Sequence, residues 1–421
     1  MTSKTTERPA GTLEGGVGSL LSAAAVRSAA RRILNLAAEG SLPDWALDRD
    51  RLGSAADLVA NVVRERYPNL QIPLHARWRH FVFQGRDLWN DIRGARAWSS
   101  SAEAARAAFD LAITSVLLDA GAGSRWHYRD PLIGLTVGRS EGLALASLRW
   151  FERGGFSADP RRDPLRADAD ALSRIQASAV EDAFQSDPDN PLQGAGGRAV
   201  LLNRLGAATL ARPDLFARAD LPRPGGLFDA LVARATKGEL PAATVLEVLL
   251  EGLGSIWPDR PSLDGTALGD CWPHPALRGE RPIDRFVPLH KLSQWLAYSL
   301  VEPLELAGVR VCDLGGLTGL AEYRNGGLFV DMRVLVPRDP AALGRIHAVS
   351  DPFVVGWRAA TVALLDEIAP LVAERLGVTA QELPLARVLE GGTWAAGRLL
   401  ARSTRADAGP PFQVLSDGTV F

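Results

Sequence analysis

The sequence predicts a mainly α-helical protein with a small β element near the C-terminal part. Three observations predict it: apolar residues recur three and four apart over most of the chain, alanine-rich stretches stop at glycine, and strand-type alternation is confined to short runs. The first helix spans 20–38, alanine-rich and stopped by Gly40. Further helical spacing covers 55–67, 102–120 before Gly121, 141–153 before Gly154 and Gly155, and 168–185. The same pattern continues over 198–211, 227–237, 242–253, 287–307, 356–376 and 380–402. Strand signals mark 309–312, 328–336 and 412–421, the last around the turn Ser416-Asp417-Gly418. A polar tail covers 1–18, and 19–421 reads as a single compact unit without internal repeats or a low-complexity linker. The least regular stretch, 257–287, is rich in proline, glycine and tryptophan; it is either a loop over a pocket or a seam between two helical lobes.

With 421 residues, 47% hydrophobic and 23% charged, the chain has ample material for a packed core. A formal net charge of −2, with arginines interspersed among acids, gives no basic stripe, so nucleic acid is not expected as a partner. Two cysteines do not make a disulfide framework, the start lacks signal-peptide character, and even 244–257 is interrupted by Glu247 and Glu251. A cytoplasmic protein without membrane insertion is expected.

Lysine usage singles out one position. Lys291 is one of three lysines, with Lys4 and Lys237, among 47 basic residues. An ammonium can lose its proton, act as a base or attack carbon, whereas arginine stays protonated. On a helix, Lys291, Trp295, Tyr298 and Glu302 share one stripe, with Leu289, Leu292, Leu296 and Leu300 on the other side. Such a stripe suits a pocket wall; its plainer counterpart is a surface lysine lying over partly buried rings. Downstream of the 309–312 run and Asp313, a glycine-rich loop carries Glu322, Tyr323, Arg324 and Asn325 as consecutive polar groups, suited to close approach to a small ligand.

Other constellations are weaker. The run 75–81 holds His75, Arg77, Trp78, Arg79 and His80, which suits a phosphate or a sugar hydroxyl and equally an aromatic anchor with solvated arginines. Glu141, beside Ser140, falls at a helix start, where capping alone accounts for it. The glycine-rich stretch before Arg198 feeds a helix N-terminus but lacks the residues of a P-loop and the spacing of a dinucleotide fingerprint. Cys271, His274 and Cys312 have no paired spacing, so no metal and no cofactor are expected, and no serine nucleophile elbow is present.

The phrases Arg-Ser-Glu-Gly-Leu-Ala at 139–144, Asp-Asn-Pro-Leu at 189–192, His-Lys-Leu-Ser-Gln-Trp-Leu at 290–296, Glu-Tyr-Arg-Asn-Gly-Gly-Leu at 322–328, Glu-Gly-Gly-Thr-Trp at 390–394 and Ser-Asp-Gly-Thr-Val-Phe at 416–421 together resemble the uracil catabolism protein four family, long labelled a domain of unknown function. The likeness covers nearly the whole chain. Ala395 departs from it, standing where many members carry lysine. The resemblance implies a pathway that converts uracil, through its ribonucleotide, to urea and a three-carbon acid with ribosylurea as an intermediate. A second likeness is to the helical queuosine-salvage nucleotide glycosidases, relatives of DNA glycosylases. It rests on Lys291, Gln294, Asp313, Leu317, Thr318, Tyr323 and Arg324, with Glu322 where that family has aspartate.

These resemblances imply a helical glycosylase-like architecture and an N-ribosyl hydrolase that splits ribosylurea or its 5-phosphate into urea and ribose or its phosphate. Glu322 is the expected carboxylate beneath the sugar, and Lys291 is a proton donor, a partner setting the Glu322 pKa, or a nucleophile. Arg324 with Arg79 or Arg198 is the expected phosphate contact, and Trp295 and Tyr323 pack on the sugar. Gln294, Asp313, Asn325, Trp78, His80 and Glu141 complete the expected substrate contacts. The alternatives are a non-catalytic partner that holds a ring-opened intermediate and a ureide amidohydrolase.

Overall fold

The computed structural model describes residues 15–415 apart from 120, 124 and 220. The fold is mainly α, as the periodicity predicts. In chain order the helices are α1 (Ala23–Ala38), α2 (Leu52–Arg66), α3 (Leu88–Gly94), α4 (Ser101–Leu117), α5 (Arg139–Glu152), α6 (Ala169–Leu172), α7 (Ala177–Ala183) and α8 (Ala195–Ala211). They continue with α9 (Pro213–Phe216), α10 (Leu227–Val232), α11 (Ala242–Leu253), α12 (Lys291–Leu306), α13 (Tyr323–Asp331), α14 (Pro352–Leu376), α15 (Leu385–Val388) and α16 (Trp394–Thr404).

Helix α14 is the spine. Asp351 caps it by accepting from the Phe353 N–H at 2.9 Å, Pro352 opens it, and Gly377 closes it in the left-handed region at φ 71°. Nearly all of its first half is buried, because α1, α2 and α13 pack around it. Beside this group, α12 is enclosed by α4 and α11, and α13 lies against α16. One hydrophobic cluster runs through these layers, with members from Ala23 to Phe412.

The expected strand at 309–312 forms as Arg310–Cys312, but the strands are not confined to the C-terminal part. They form separate two-stranded pairs scattered from Trp45 to Val414. Examples are Trp45–Leu47 with Leu335–Pro337, His127–Arg129 with Thr136–Gly138, and Arg310–Cys312 alongside Glu239–Pro241. Strands of two or three residues carry too few alternations to leave a periodic signal. The expected strand at 328–336 begins as the end of helix α13, passes through a turn, and pairs as strand only from Leu335. The carboxylate of Glu322 starts that helix by accepting the N–H groups of Arg324 and Asn325. The Gly326-Gly327 pair there is not loop: a Cβ at 326 would lie 2.4 Å from the Trp357 ring, so glycine permits close packing of α13 on α14.

Two expected helices are broken. The 168–185 stretch divides into α6 and α7. The 380–402 stretch is interrupted by a π-turn, Leu389–Thr393, between α15 and α16. Gly391 and Gly392 sit in that turn against Ile72 and Val59. In the irregular 257–287 stretch, Cys271–Pro273 pairs antiparallel with Phe286–Pro288, which leads into α12. Of the 412–421 strand, Gln413–Val414 pairs with Ile346–His347; the Ser416-Asp417-Gly418 turn lies outside the described residues.

Candidate functional site

A cavity of about 340 Å³ opens where the end of α4, the starts of α5, α12 and α13, the His75–His80 stretch, and Trp394 converge. Lys291 and Glu322 both line it, as do Trp295, Tyr323, Arg324 and His80 from the sequence reading.

Lys291 is the first residue of α12 and is presented by a strained entry. His290 before it has φ 46°, and its imidazole bonds the Leu20 carbonyl at 3.0 Å. Asp270 organises this entry. Its carbonyl accepts the N–H groups of Leu289 and His290, and its carboxylate accepts the Lys291 N–H at 3.1 Å. Both oxygens of that carboxylate also take Nη1 and Nη2 of Arg358 at 2.7 Å, and the Trp272 indole donates to it at 2.9 Å. Burial alone would raise the Asp270 pKa, but the Arg358 guanidinium and these donors hold it far below the usual carboxylate range.

Glu322 stands before the first residue of α13. Its two oxygens accept backbone N–H groups, that of Arg324 at 2.7 Å and that of Asn325. Burial pushes its pKa up, against those donors and the nearby Lys291 ammonium. Burial likewise pushes the Lys291 pKa down, against the fields of Glu322 and Asp119. Each group is therefore drawn towards its neutral form by the interior and towards its charged form by the other, so the two pKa values are drawn towards each other from their ordinary positions.

The other predicted residues divide between wall, scaffold and remote positions. Arg324 lies 4.7 Å over the Tyr323 ring and donates to the Ala408 carbonyl at 2.9 Å. The Trp295 indole N–H and the His80 Nδ1 find no hydrogen-bond partner among the described residues. Burial, with Arg77 and His75 nearby, pushes the His80 pKa down to about 3, so it is neutral at ordinary pH.

Gln294 is scaffold: fully buried, it donates to the Thr318 hydroxyl at 2.7 Å. Asn325 is also scaffold, supplying its N–H to Glu322 from the first turn of α13. Asp313 is exposed at the turn preceding Leu314–Gly316 and does not line the cavity.

Arg79 is outside as well. Its Nη2 donates to both oxygens of Glu302, at 2.7 and 2.6 Å. Trp78 donates to the Ser299 carbonyl at 2.7 Å and lines a separate hollow of about 110 Å³ with Trp89 and Glu302. Arg198 is buried and spends its donors on the carbonyls of Leu118, Gln193 and Gly121. Glu141 pairs with Arg398 at 3.0 Å beside an outer recess that shares Arg139 with the cavity. The 291–302 stripe therefore splits, Lys291 and Trp295 facing the cavity while Tyr298 bonds the Thr318 carbonyl at 3.0 Å and Glu302 serves Arg79.

Asp119 escapes the sequence reading, and Arg139, Ser140 and His75 enter it in other roles. Asp119, just past the C-terminus of α4, pairs with the buried Arg77 at 3.0 Å, and burial raises its pKa. An acid at the negative end of an apolar helix was the available signal, since the helix dipole disfavours it there. Arg139 and Ser140 open α5, Arg139 at φ 54°. His75 sits with Nδ1 2.8 Å from Glu390 Oε2, a pair 315 positions apart that no local pattern reveals. Cys271 is buried and Cys312 half-buried; among the described residues no group of three His, Cys, Asp or Glu side chains forms a metal-ligand set. No helix among them is long and apolar enough to cross a membrane.

Fold and cavity together define a mainly helical protein in which the half-buried Lys291 amine and the buried Glu322 carboxylate line one small-molecule-sized hollow. The chain belongs to the family described as "Protein of unknown function (DUF1688)", whose model matches residues 19–421. It is 38% identical over 413 residues to Protein urg3 of Schizosaccharomyces pombe, covering 96% of this chain and 99% of that protein. It is 34% identical over 446 residues to Uracil catabolism protein 4 of Lachancea kluyveri, covering 97% and 100% respectively.

Proposed function

We propose that this chain acts in uracil catabolism as an N-glycoside hydrolase that cleaves ribosylurea, or its 5-phosphate, to urea and ribose or ribose 5-phosphate. The observation that carries the reading is that the half-buried Lys291 amine and the buried Glu322 acid line one cavity. The printed name of the Lachancea kluyveri relative supports the metabolic setting. Cavity volume supports a ligand of about a pentose with a small substituent.

Breaking the bond from ribose C1 to a urea nitrogen builds positive charge on C1 and the ring oxygen. Glu322, oriented by the first turn of α13, sits as the anion beneath that charge. Lys291 donates a proton to the departing nitrogen, and burial, by lowering its pKa, makes it the stronger acid. Tyr323 and Trp295 supply flat apolar surface for the sugar, and the unpartnered Trp295 N–H supplies a donor for a hydroxyl. Arg324, with Arg139 in place of Arg79 or Arg198, is the cation pair for a 5-phosphate.

The test is to incubate purified protein with ribosylurea and with its 5-phosphate and to assay free urea. Release from either supports the reading. Tight binding without release would make the chain a binding protein, and urea release abolished by chelators would point to a metal-dependent amidohydrolase.

A further inference from the structure

We propose that His75, oriented by Glu390, is the base that takes the proton from the water attacking C1; this rests on the hydrolase reading above. Four observations carry it. His75 Nδ1 is 2.8 Å from Glu390 Oε2, and an ionised carboxylate only accepts, so Nδ1 carries the hydrogen and, in the neutral ring, Nε2 is the atom with the lone pair. His75 lines the same cavity as Lys291 and Glu322. Its ring is fixed: it stacks on Trp295 with centroids 6.3 Å apart, and its backbone N–H donates to the Ala386 carbonyl at 3.0 Å. Glu390 is delivered by the π-turn 389–393, where an extra residue re-aims a helix, and the Tyr67 hydroxyl donates to its other oxygen at 3.5 Å.

The chemistry requires such a group. If Glu322 took the water proton it would lose its charge just as the cation on C1 needs it, and Lys291 is committed to the leaving nitrogen. Asp119 is engaged by Arg77. In the step, the water oxygen bonds to C1 as the C1–N bond breaks. The water proton passes to His75 Nε2, and the Lys291 proton passes to the nitrogen of urea. His75 then returns its proton through solvent to the Lys291 amine, so one water is consumed and no oxidant or cofactor is needed.

The experiment measures urea release by the wild-type protein, His75→Asn, His75→Gly with and without added imidazole, and Glu390→Gln, with folding checked by circular dichroism. His75→Asn and His75→Gly should lose roughly 10²- to 10⁴-fold in kcat with KM little changed. Imidazole should restore part of the rate to His75→Gly, a recovery that a purely structural histidine would not give. Glu390, as a positioning residue, should cost about tenfold in kcat when changed to glutamine, and nothing further once His75 is glycine. A folded His75→Asn within threefold of wild type, or a folded His75→Gly indifferent to imidazole, overturns the proposal while leaving the hydrolase reading intact. Should both His75 variants fail to fold, an unchanged kcat in Glu390→Gln overturns it. A wild-type protein that releases no urea overturns both.

Discussion

The side-chain amide of Gln294 donates to the Thr318 hydroxyl at 2.7 Å, and through this bond the helix that starts with Lys291 holds the loop that ends with Glu322. Tyr298, one turn on, donates to the Thr318 carbonyl at 3.0 Å. Arg27 grips the loop from its other side through the carbonyls of Gly315 and Leu317, at 3.0 and 2.8 Å. The separation of the amine from the acid is thus set by buried polar bonds rather than by chain proximity.

Thr318→Val keeps the shape and removes the hydroxyl that accepts from the NH2 of the fully buried Gln294. The expected cost is about 1–3 kcal/mol in chemical denaturation, with Thr318→Ser recovering most of it. Equal stability of Thr318→Val and wild type would remove Gln294 from the scaffold.

Asp270 makes a pH prediction. Its folded-state pKa lies below the unfolded value of about 3.9, because Arg358 outweighs the burial that would raise it. The unfolded chain therefore takes up the proton first as pH falls. Stabilisation from the pair is complete above about pH 4 and fades below it, as pH falls through the folded value. Asp270→Asn, which strands Arg358 in the interior, should cost on the order of 3–5 kcal/mol at pH 7 and flatten the loss below pH 4. Urea unfolding midpoints from pH 3 to 7 check both parts; a variant midpoint equal to wild type at pH 7 would contradict them.

Helix α16 approaches α13 at Gly397, where a Cβ would lie 2.0 Å from the Arg324 carbonyl oxygen. Backbone cannot step aside as a side-chain tip can, so Gly397→Ala should cost about 1–3 kcal/mol. Gly344→Ala, at an exposed site with nothing within 4 Å, should stay within about 0.5 kcal/mol of wild type. Thermal melts of the two variants side by side test the contrast.

What the sequence makes legible follows from range. Helices such as α1, α11 and α14 declare themselves because their apolar spacing lies within a few turns, although α14 starts at Pro352, behind its Asp351 cap, rather than at 356. Lys291 stands out by composition, and Glu322 by its polar run in a glycine-rich loop. What escapes is nonlocal. Gly326 and Gly327 of α13 read as loop because their partners, Trp357 and Pro411, are thirty or more residues away, and Glu390 acquires meaning only when folding sets it on His75. Arg79 and Arg198 suited phosphate by type, yet Glu302 and backbone carbonyls claim them, a competition that residue identity alone does not reveal. Asp119 lies within the 102–120 helical spacing, where nothing local marks it as part of a site.

Lys291 should not tolerate the substitution that preserves its charge. As the proposed proton donor it must release a proton that arginine retains, so Lys291→Arg should lose at least about a hundredfold in turnover, as should Lys291→Met. The wild-type rate should also fall on the alkaline side at a pH below the ordinary lysine value of 10.5, since burial lowers this pKa and activity needs the protonated amine. A Lys291→Arg protein with near-wild-type kcat would reduce the residue to a fixed charge.

The most direct measurement is urea release from ribosylurea and its 5-phosphate by wild-type protein and by Glu322→Gln, with both shown to be folded by circular dichroism. The account predicts catalytic release by wild type and a fall of roughly a hundredfold or more in Glu322→Gln, the equivalent of about 3–4 kcal/mol of lost transition-state stabilisation. Urea released equally well by both proteins, or by neither, would contradict it.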